Sequence, residues 1–207
     1  HRAEQREKRE GAVMRLLPQT TVFLSCDLQQ RFQSLIWGMG AVVQSAKILH
    51  QAARVMGVPV VATEQYPKAF GHTLAEVELP QGSPVFEKTQ FSMLIPEVEE
   101  HLSGRTAVVL YGIEAHVCVL QTALELRERG FDVYIPLDGV SSQRPLDRQA
   151  AIERMRQAGC KITSTESVLF ELMGSTQYPH FKAVSAILKA NPRGGIQDSL
   201  VSPLSAN

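Results

Sequence analysis

Cysteine is scarce in this chain: 207 residues hold only Cys26, Cys118 and Cys160, an odd number set far apart. A chain long enough to bury its own core needs no disulfide framework, and widely spaced thiols fit a reducing compartment. Net charge is absent too, since 21 basic and 21 acidic side chains cancel. No field remains to hold a nucleic-acid backbone or an anionic membrane surface, so the expected partner is a small-molecule substrate, with no nucleic acid and no membrane. No apolar run nears the roughly eighteen residues that span a bilayer, and no signal-peptide stretch opens the sequence. These absences predict a cytoplasmic location, or an equally reducing organelle matrix.

What is present is an ordinary globular composition, 44% apolar and 20% charged, at the length of about one domain of 100 to 200 residues. Residues 1–17, which open on mixed Arg, Lys and Glu, read as a flexible extension, with Met14 near a natural start. One domain is expected over 18–190. Residues 191–207, rich in Pro, Gly and Ser, read as a loose tail.

Along that domain short β-rich runs alternate with helical periodicity. Thr21 to Cys26 reads as a strand buried on both faces. Apolar positions from Ala41 to Met56 recur at helical spacing and stop at Gly57, a C-cap residue. Further strands are expected at Val58–Thr63, Val85–Glu87, Thr106–Tyr111, Phe131–Leu137 and Lys161–Thr163. Helices are expected over 117–129, 147–157 and 178–190. This alternation predicts an α/β fold: a parallel sheet with helices on both faces, because each parallel connection needs a crossover.

In such sheets ligands bind beyond the carboxyl ends of the strands. Asp27, Glu64, Lys88 and the segment leading to Cys118 all follow predicted strands, so two carboxylates, an ammonium and a thiol face one rim. Each alone also fits a plain role: Asp27 as a helix cap, Lys88 as a solvated loop cation, Glu64 as a rim charge, Cys118 as a core thiol. The setting of Cys118 is more specific. It follows a strand and a glycine and opens a helix, whose N-terminus, with a lysine nearby, favours the nucleophilic thiolate. Cys26, inside an apolar strand, reads as core.

Four separated motifs then stand in order: Cys26-Asp27-Leu28-Gln29, Thr63-Glu64-Gln65-Tyr66-Pro67, Glu87-Lys88-Thr89-x-Phe91-Ser92, and Gly112-Ile113-Glu114-Ala115-His116-Val117-Cys118-Val119. From about Thr20 to Lys189 the chain resembles the isochorismatase-like hydrolases. That resemblance implies a three-layer α/β/α sandwich on a doubly wound six-stranded parallel sheet, and an Asp–Lys–Cys triad of Asp27, Lys88 and Cys118. It implies an oxyanion hole from the backbone N–H groups of Glu114 and Cys118, a cis Ile113–Glu114 peptide, and a homo-oligomer.

Glu64, Tyr66 and Phe91 follow strands where a substrate pocket belongs, though they also fit as loop packing. His116 reads as a helix-start or subunit-contact residue, and Trp37 fits either a cleft cover or a subunit contact. The nicotinamidase-type relatives carry an Asp and two His after the second strand and bind a divalent metal. Here Glu64 and a single downstream His72 stand instead, so neither metal nor other cofactor is expected. Isochorismatases proper act on a vinyl ether without a nucleophilic cysteine, so Cys118 shifts the expected chemistry toward amide, ester or nitrile-like substrates. A binding or scaffold protein without turnover is the rival.

Overall fold

Six short strands, buried in the middle of the sheet and partly exposed at its two edges, build the centre of the computed structural model, which describes residues 15–192. They are β1 (Thr21–Cys26), β2 (Val60–Gln65), β3 (Val85–Lys88), β4 (Ala107–Gly112), β5 (Asp132–Pro136) and β6 (Lys161–Thr163). All pair in parallel in the order β3-β2-β1-β4-β5-β6. The two central strands, β1 and β4, are buried at every position, which is why they read as unbroken apolar runs rather than alternating ones.

The helices are α1 (Met39–Met56), α2 (Pro67–Phe70), α3 (Pro96–Glu100), α4 (Leu120–Glu128), α5 (Pro145–Gln157), α6 (Thr165–Met173) and α7 (Phe181–Ala190). On one face α1 packs against α6 and α7; on the other, α4 packs against α5. The expected three-layer, doubly wound sandwich is what the chain adopts. Its strand order reverses between β1 and β4, so a crevice opens there beyond their carboxyl ends.

Most elements lie where the periodicity puts them, with shifts of a few residues. Helix α1 ends at Gly57 in the left-handed region (φ 69), its N–H bonded to the Ala53 carbonyl. The single helix expected over 117–129 is in fact a π-helical turn, Ala115–Val119, followed by α4. The terminal helix begins at Phe181 rather than 178. Helix α6 was not anticipated, although the Ser164 hydroxyl caps it by accepting from the Ser167 N–H. Of the expected flexible segments, residues 1–14 and 193–207 lie outside the described residues; Leu16 is buried, its N–H donating to Glu171 Oε1 at 2.9 Å. Among the described residues no helix is long and apolar enough to cross a membrane.

Candidate active site

Asp27 follows β1 directly and adopts φ 48, a left-handed conformation that Asp tolerates better than most residues. Its N–H stays bonded to the Thr63 carbonyl of β2, so the turn begins inside the sheet. Both carboxylate oxygens are occupied. Thr63 Oγ1 donates to Oδ1 at 2.7 Å and Lys88 Nζ to Oδ2 at 2.8 Å.

Lys88 closes β3 in register with Gln65. Its ammonium also donates to Gln65 Oε1 (2.6 Å) and to the carbonyls of Phe91 (2.9 Å) and Gln90 (3.2 Å). The side chains of Lys88 and Asp27 are 0% and 2% exposed. Charges so far from water persist only when paired and hydrogen-bonded on all sides. Burial alone would push Lys88 down, but the facing Cys26, Asp27 and Cys118 together raise it above its ordinary value.

Strand β4 delivers the third group. It ends at Gly112 with φ 122, where a Cβ would stand 2.1 Å from the Cys26 carbonyl oxygen, so only glycine allows this approach. The Ile113–Glu114 peptide is cis. The π-helical turn then carries Cys118, which is 7% exposed. Its thiol interacts with that of Cys26 and lies within electrostatic reach of Lys88. Among the described residues no hydrogen bond joins Cys118 to Asp27. The Cys118 carbonyl accepts from Thr122 Oγ1 (2.6 Å), which accepts from the Met93 N–H (2.9 Å), tying this turn to the segment after β3.

Glu114 is held from the β5–α5 loop: its carboxylate accepts from the Gln143 N–H at 2.9 Å, and the next N–H, of Ala115, donates to the Ser141 carbonyl at 2.7 Å. Among the described residues nothing accepts a hydrogen bond from the Glu114 N–H itself. His116 Nδ1 meets Ser142 Oγ at 2.9 Å and so faces the same loop. Trp37 also joins it, its N–H donating to the Ser142 carbonyl.

The three residues expected to line a pocket separate. Glu64 is buried away from the Asp27–Lys88 pair, its carboxylate taken by the Thr73 N–H (2.6 Å), Thr73 Oγ1 (2.7 Å) and His72 Nδ1 (2.9 Å). Tyr66 and Phe91 are about half exposed. Tyr66 lines a 420 Å³ cleft beside β3 together with Pro67, Glu87, Lys88, Gln90 and Pro96. Glu64, Phe91, Asp27 and Cys118 do not line it; it meets the buried cluster at Lys88 and at Thr89 and Gln90, whose carbonyls accept from Gln65 Nε2 and Lys88 Nζ.

Thr63, Gln65 and Cys26 belong to the cluster; from the sequence Thr63 and Gln65 carry no expected role and Cys26 reads as core. Cys26 is indeed buried but borders Lys88 and Cys118. For the first two a signal existed. Alternate residues of a strand share a face, so Thr63 and Gln65 point together toward Lys88 and Asp27 while Glu64 between them points away. Among the described residues no three His, Cys, Asp or Glu side chains converge as a metal site.

The sequence profile of the isochorismatase domain matches residues 21–167, which span all six strands. The chain belongs to the isochorismatase family. Isochorismatase domain-containing protein 1 of Salmo salar is 44% identical over 87% of this chain and 65% of its own length, so the chain spans under two thirds of that relative. Isochorismatase domain-containing protein 2 of Xenopus laevis is 40% identical over 82% of this chain and 83% of its own length. Among solved structures, MAR1 ribonuclease from Caenorhabditis elegans superposes with a TM-score of 0.85 at 40% identity, covering 88% of this isochorismatase-family chain and 96% of its own.

Proposed function

We propose that this isochorismatase-family chain is a metal-independent cysteine hydrolase that cleaves a small amide or related acyl substrate through a covalent Cys118 intermediate. The observation that carries the reading is the buried Lys88–Asp27 ion pair set against the thiol of Cys118 at the strand-order reversal. An ion pair so deep contributes little net stability, and a nucleophile beside it gives the pair a chemical use.

In this mechanism Asp27 accepts the proton of the Cys118 thiol, and Lys88 holds Asp27 in place and stabilises the thiolate. Sulfur attacks the carbonyl carbon, and the electrons of the C=O bond move onto oxygen. The unpartnered Glu114 N–H, with the N–H of Cys118, stabilises that oxyanion. Collapse expels the amine, which takes the proton from Asp27. Water, deprotonated by Asp27, then attacks the thioester and frees the acid, and the Cys118 sulfur leaves as thiolate. Each Asp27 oxygen accepts one hydrogen bond in this structure and keeps a second lone pair for the Cys118 proton. The contact that transfers it forms on substrate binding, as catalytic contacts of apo sites commonly do. Exposed Tyr66 and Phe91 at the rim fit a pocket completed by substrate or by a second copy in a homo-oligomer.

The first test is iodoacetamide alkylation across pH, read at each cysteine by peptide mass spectrometry, in the wild type, Asp27→Ala and Lys88→Ala. Cys118 is expected to react fastest, and both variants to slow it. A Cys118 as inert as Cys160 would sink the hydrolase in favour of a scaffold. The name of the Caenorhabditis elegans structure favours a second reading, cleavage of RNA. The zero net charge argues against a phosphate-binding track. Cys118-dependent release of fragments from RNA, with no turnover of acyl amides or esters, would replace the first reading with the second.

A further inference from the structure

Cys26 takes no part in the proposed hydrolysis, yet its thiol lies in the reactive cluster. It ends β1 in register with Gly112 of β4. The Ile113 N–H donates to its carbonyl at 3.0 Å, and at Gly112 the two backbones approach with no room for a side chain. That turn returns Cys118 so that the two thiols interact directly. Neither is in a disulfide. Cys118 is 7% exposed while Cys26 is 0% exposed. Cys118 thus keeps a small exposed area at the turn while Cys26 is wholly sealed behind it, the arrangement of an oxidisable cysteine backed by a resolving one.

We propose that Cys26 is a resolving thiol: when a hydroperoxide oxidises Cys118, Cys26 captures it as an intramolecular disulfide that halts the reaction reversibly and spares the nucleophile from irreversible oxidation. The Cys118 thiolate attacks one peroxide oxygen, the O–O bond breaks, and Cys118 becomes a sulfenic acid while hydroxide leaves from hydrogen peroxide, or the alkoxide from an organic hydroperoxide. The Cys26 sulfur then attacks the Cys118 sulfur. The S–S bond forms, the S–O bond breaks, and the departing hydroxide takes the Cys26 proton and leaves as water. Two electrons have passed from the thiol pair to the peroxide, and a small dithiol returns them by exchange. Burial, the contact with Cys118 and the negative charge of Asp27 all push the Cys26 thiol well above its ordinary range, so it holds the proton that this last step consumes. Cys160 is buried apart from the cluster, pushed up to about 11 mainly by its burial, and takes no part.

The effect of the disulfide on turnover rests on the hydrolase reading; its formation does not, and the test separates them. Hydrogen peroxide is added to the full chain, the wild type and Cys26→Ala are compared, and non-reducing peptide mass spectrometry is read before and after dithiothreitol. The wild type should yield a Cys26–Cys118 linked peptide, lose iodoacetamide labelling at both sites, and recover it with dithiothreitol. Cys26→Ala should still label at Cys118 before peroxide, then accumulate sulfinic or sulfonic acid there that dithiothreitol does not reverse. Circular dichroism confirms that the variant folds, and Cys26→Ser repeats the test if it does not. A wild-type Cys118 that overoxidises while Cys26 stays free overturns the switch alone. A Cys118 that labels no faster than Cys160 before any peroxide overturns the hydrolase reading, and a linked peptide formed even so leaves the switch standing.

Discussion

Lys88 Nζ lies 2.8 Å from Asp27 Oδ2, with neither side chain more than 2% exposed. The pair joins an edge strand to a central one, since β3 and β1 are separated by β2, and the two side chains meet across Thr63 and Gln65. Removing one partner would strand the other charge in the interior.

Lys88→Met should therefore destabilise the fold by about 3–5 kcal/mol, the usual cost of leaving a buried charge unpaired. Urea denaturation reads it directly. The double variant Asp27→Asn/Lys88→Met should recover much of that loss, because no charge is then left unpaired, while Cys118 alkylation stays slow. A double variant no more stable than Lys88→Met would show that the interior does not penalise the lone carboxylate.

Thr63→Val keeps the side-chain shape and deletes the donor to Asp27 Oδ1. A hydrogen bond to a charged group contributes about 1.5–3 kcal/mol, and a loss of that size is expected in the urea midpoint. The rate of Cys118 alkylation should change with it, since the carboxylate is freed on one side. An unchanged midpoint would mean that water replaces the hydroxyl.

His50 gives the fold a pH dependence of its own. Burial lowers it from 6.5 to about 4, and its Nδ1 meets the Val77 carbonyl at 2.6 Å, so the folded protein holds it neutral. As pH falls below 6.5 the unfolded chain takes up a proton that the folded one refuses. The contribution is thus full above pH 6.5 and is lost as pH falls toward 4, about 3 kcal/mol in all. Urea unfolding between pH 7 and 4 should show a steeper decline for the wild type than for His50→Asn. Equal slopes would place His50 in contact with water.

His72 is raised above 6.5 by its hydrogen bond and attraction to Glu64, which outweigh its slight desolvation. An NMR titration should place the His72 midpoint above 6.5 in the wild type and lower it in Glu64→Gln, where only the weaker attraction to Glu87 still raises it. The linked stability is present below the unfolded value and fades as pH rises through the folded one. Alkylation of Cys118 should be unaffected, because Glu64 faces away from the cluster; a slowed reaction would put it back among the site residues.

The architecture was legible in the sequence because buried parallel strands leave apolar runs and their crossovers leave helical periodicity. Asp27, Lys88 and Cys118 stood out because each comes after a strand, and the structure brings the first two into contact and the third alongside. Glu64, Thr63 and Gln65 were sorted less well: a place at the end of a strand does not tell which face each of its last residues occupies. The contact of Cys26 with Cys118 left no local signal at all. It depends on the register of β1 against β4 and on a π-helical turn where a plain helix start was expected. Helix α6 had its signal, a serine cap before apolar positions Val168, Leu169, Leu172 and Met173, but it lies beyond the last motif.

At Gly112 the main chain of β4 touches the main chain of β1 with no side chain between them. The turns that carry the carboxylate and the sulfur thus leave from two backbones locked to each other, Asp27 as the next residue after Cys26 and Cys118 at the end of a longer turn after Gly112. Loops at the rim can lengthen, shorten or change composition without detuning that alignment. A lineage could reshape what its loops admit while carrying Asp27 and Cys118 in the same places, provided this one position never acquires a side chain.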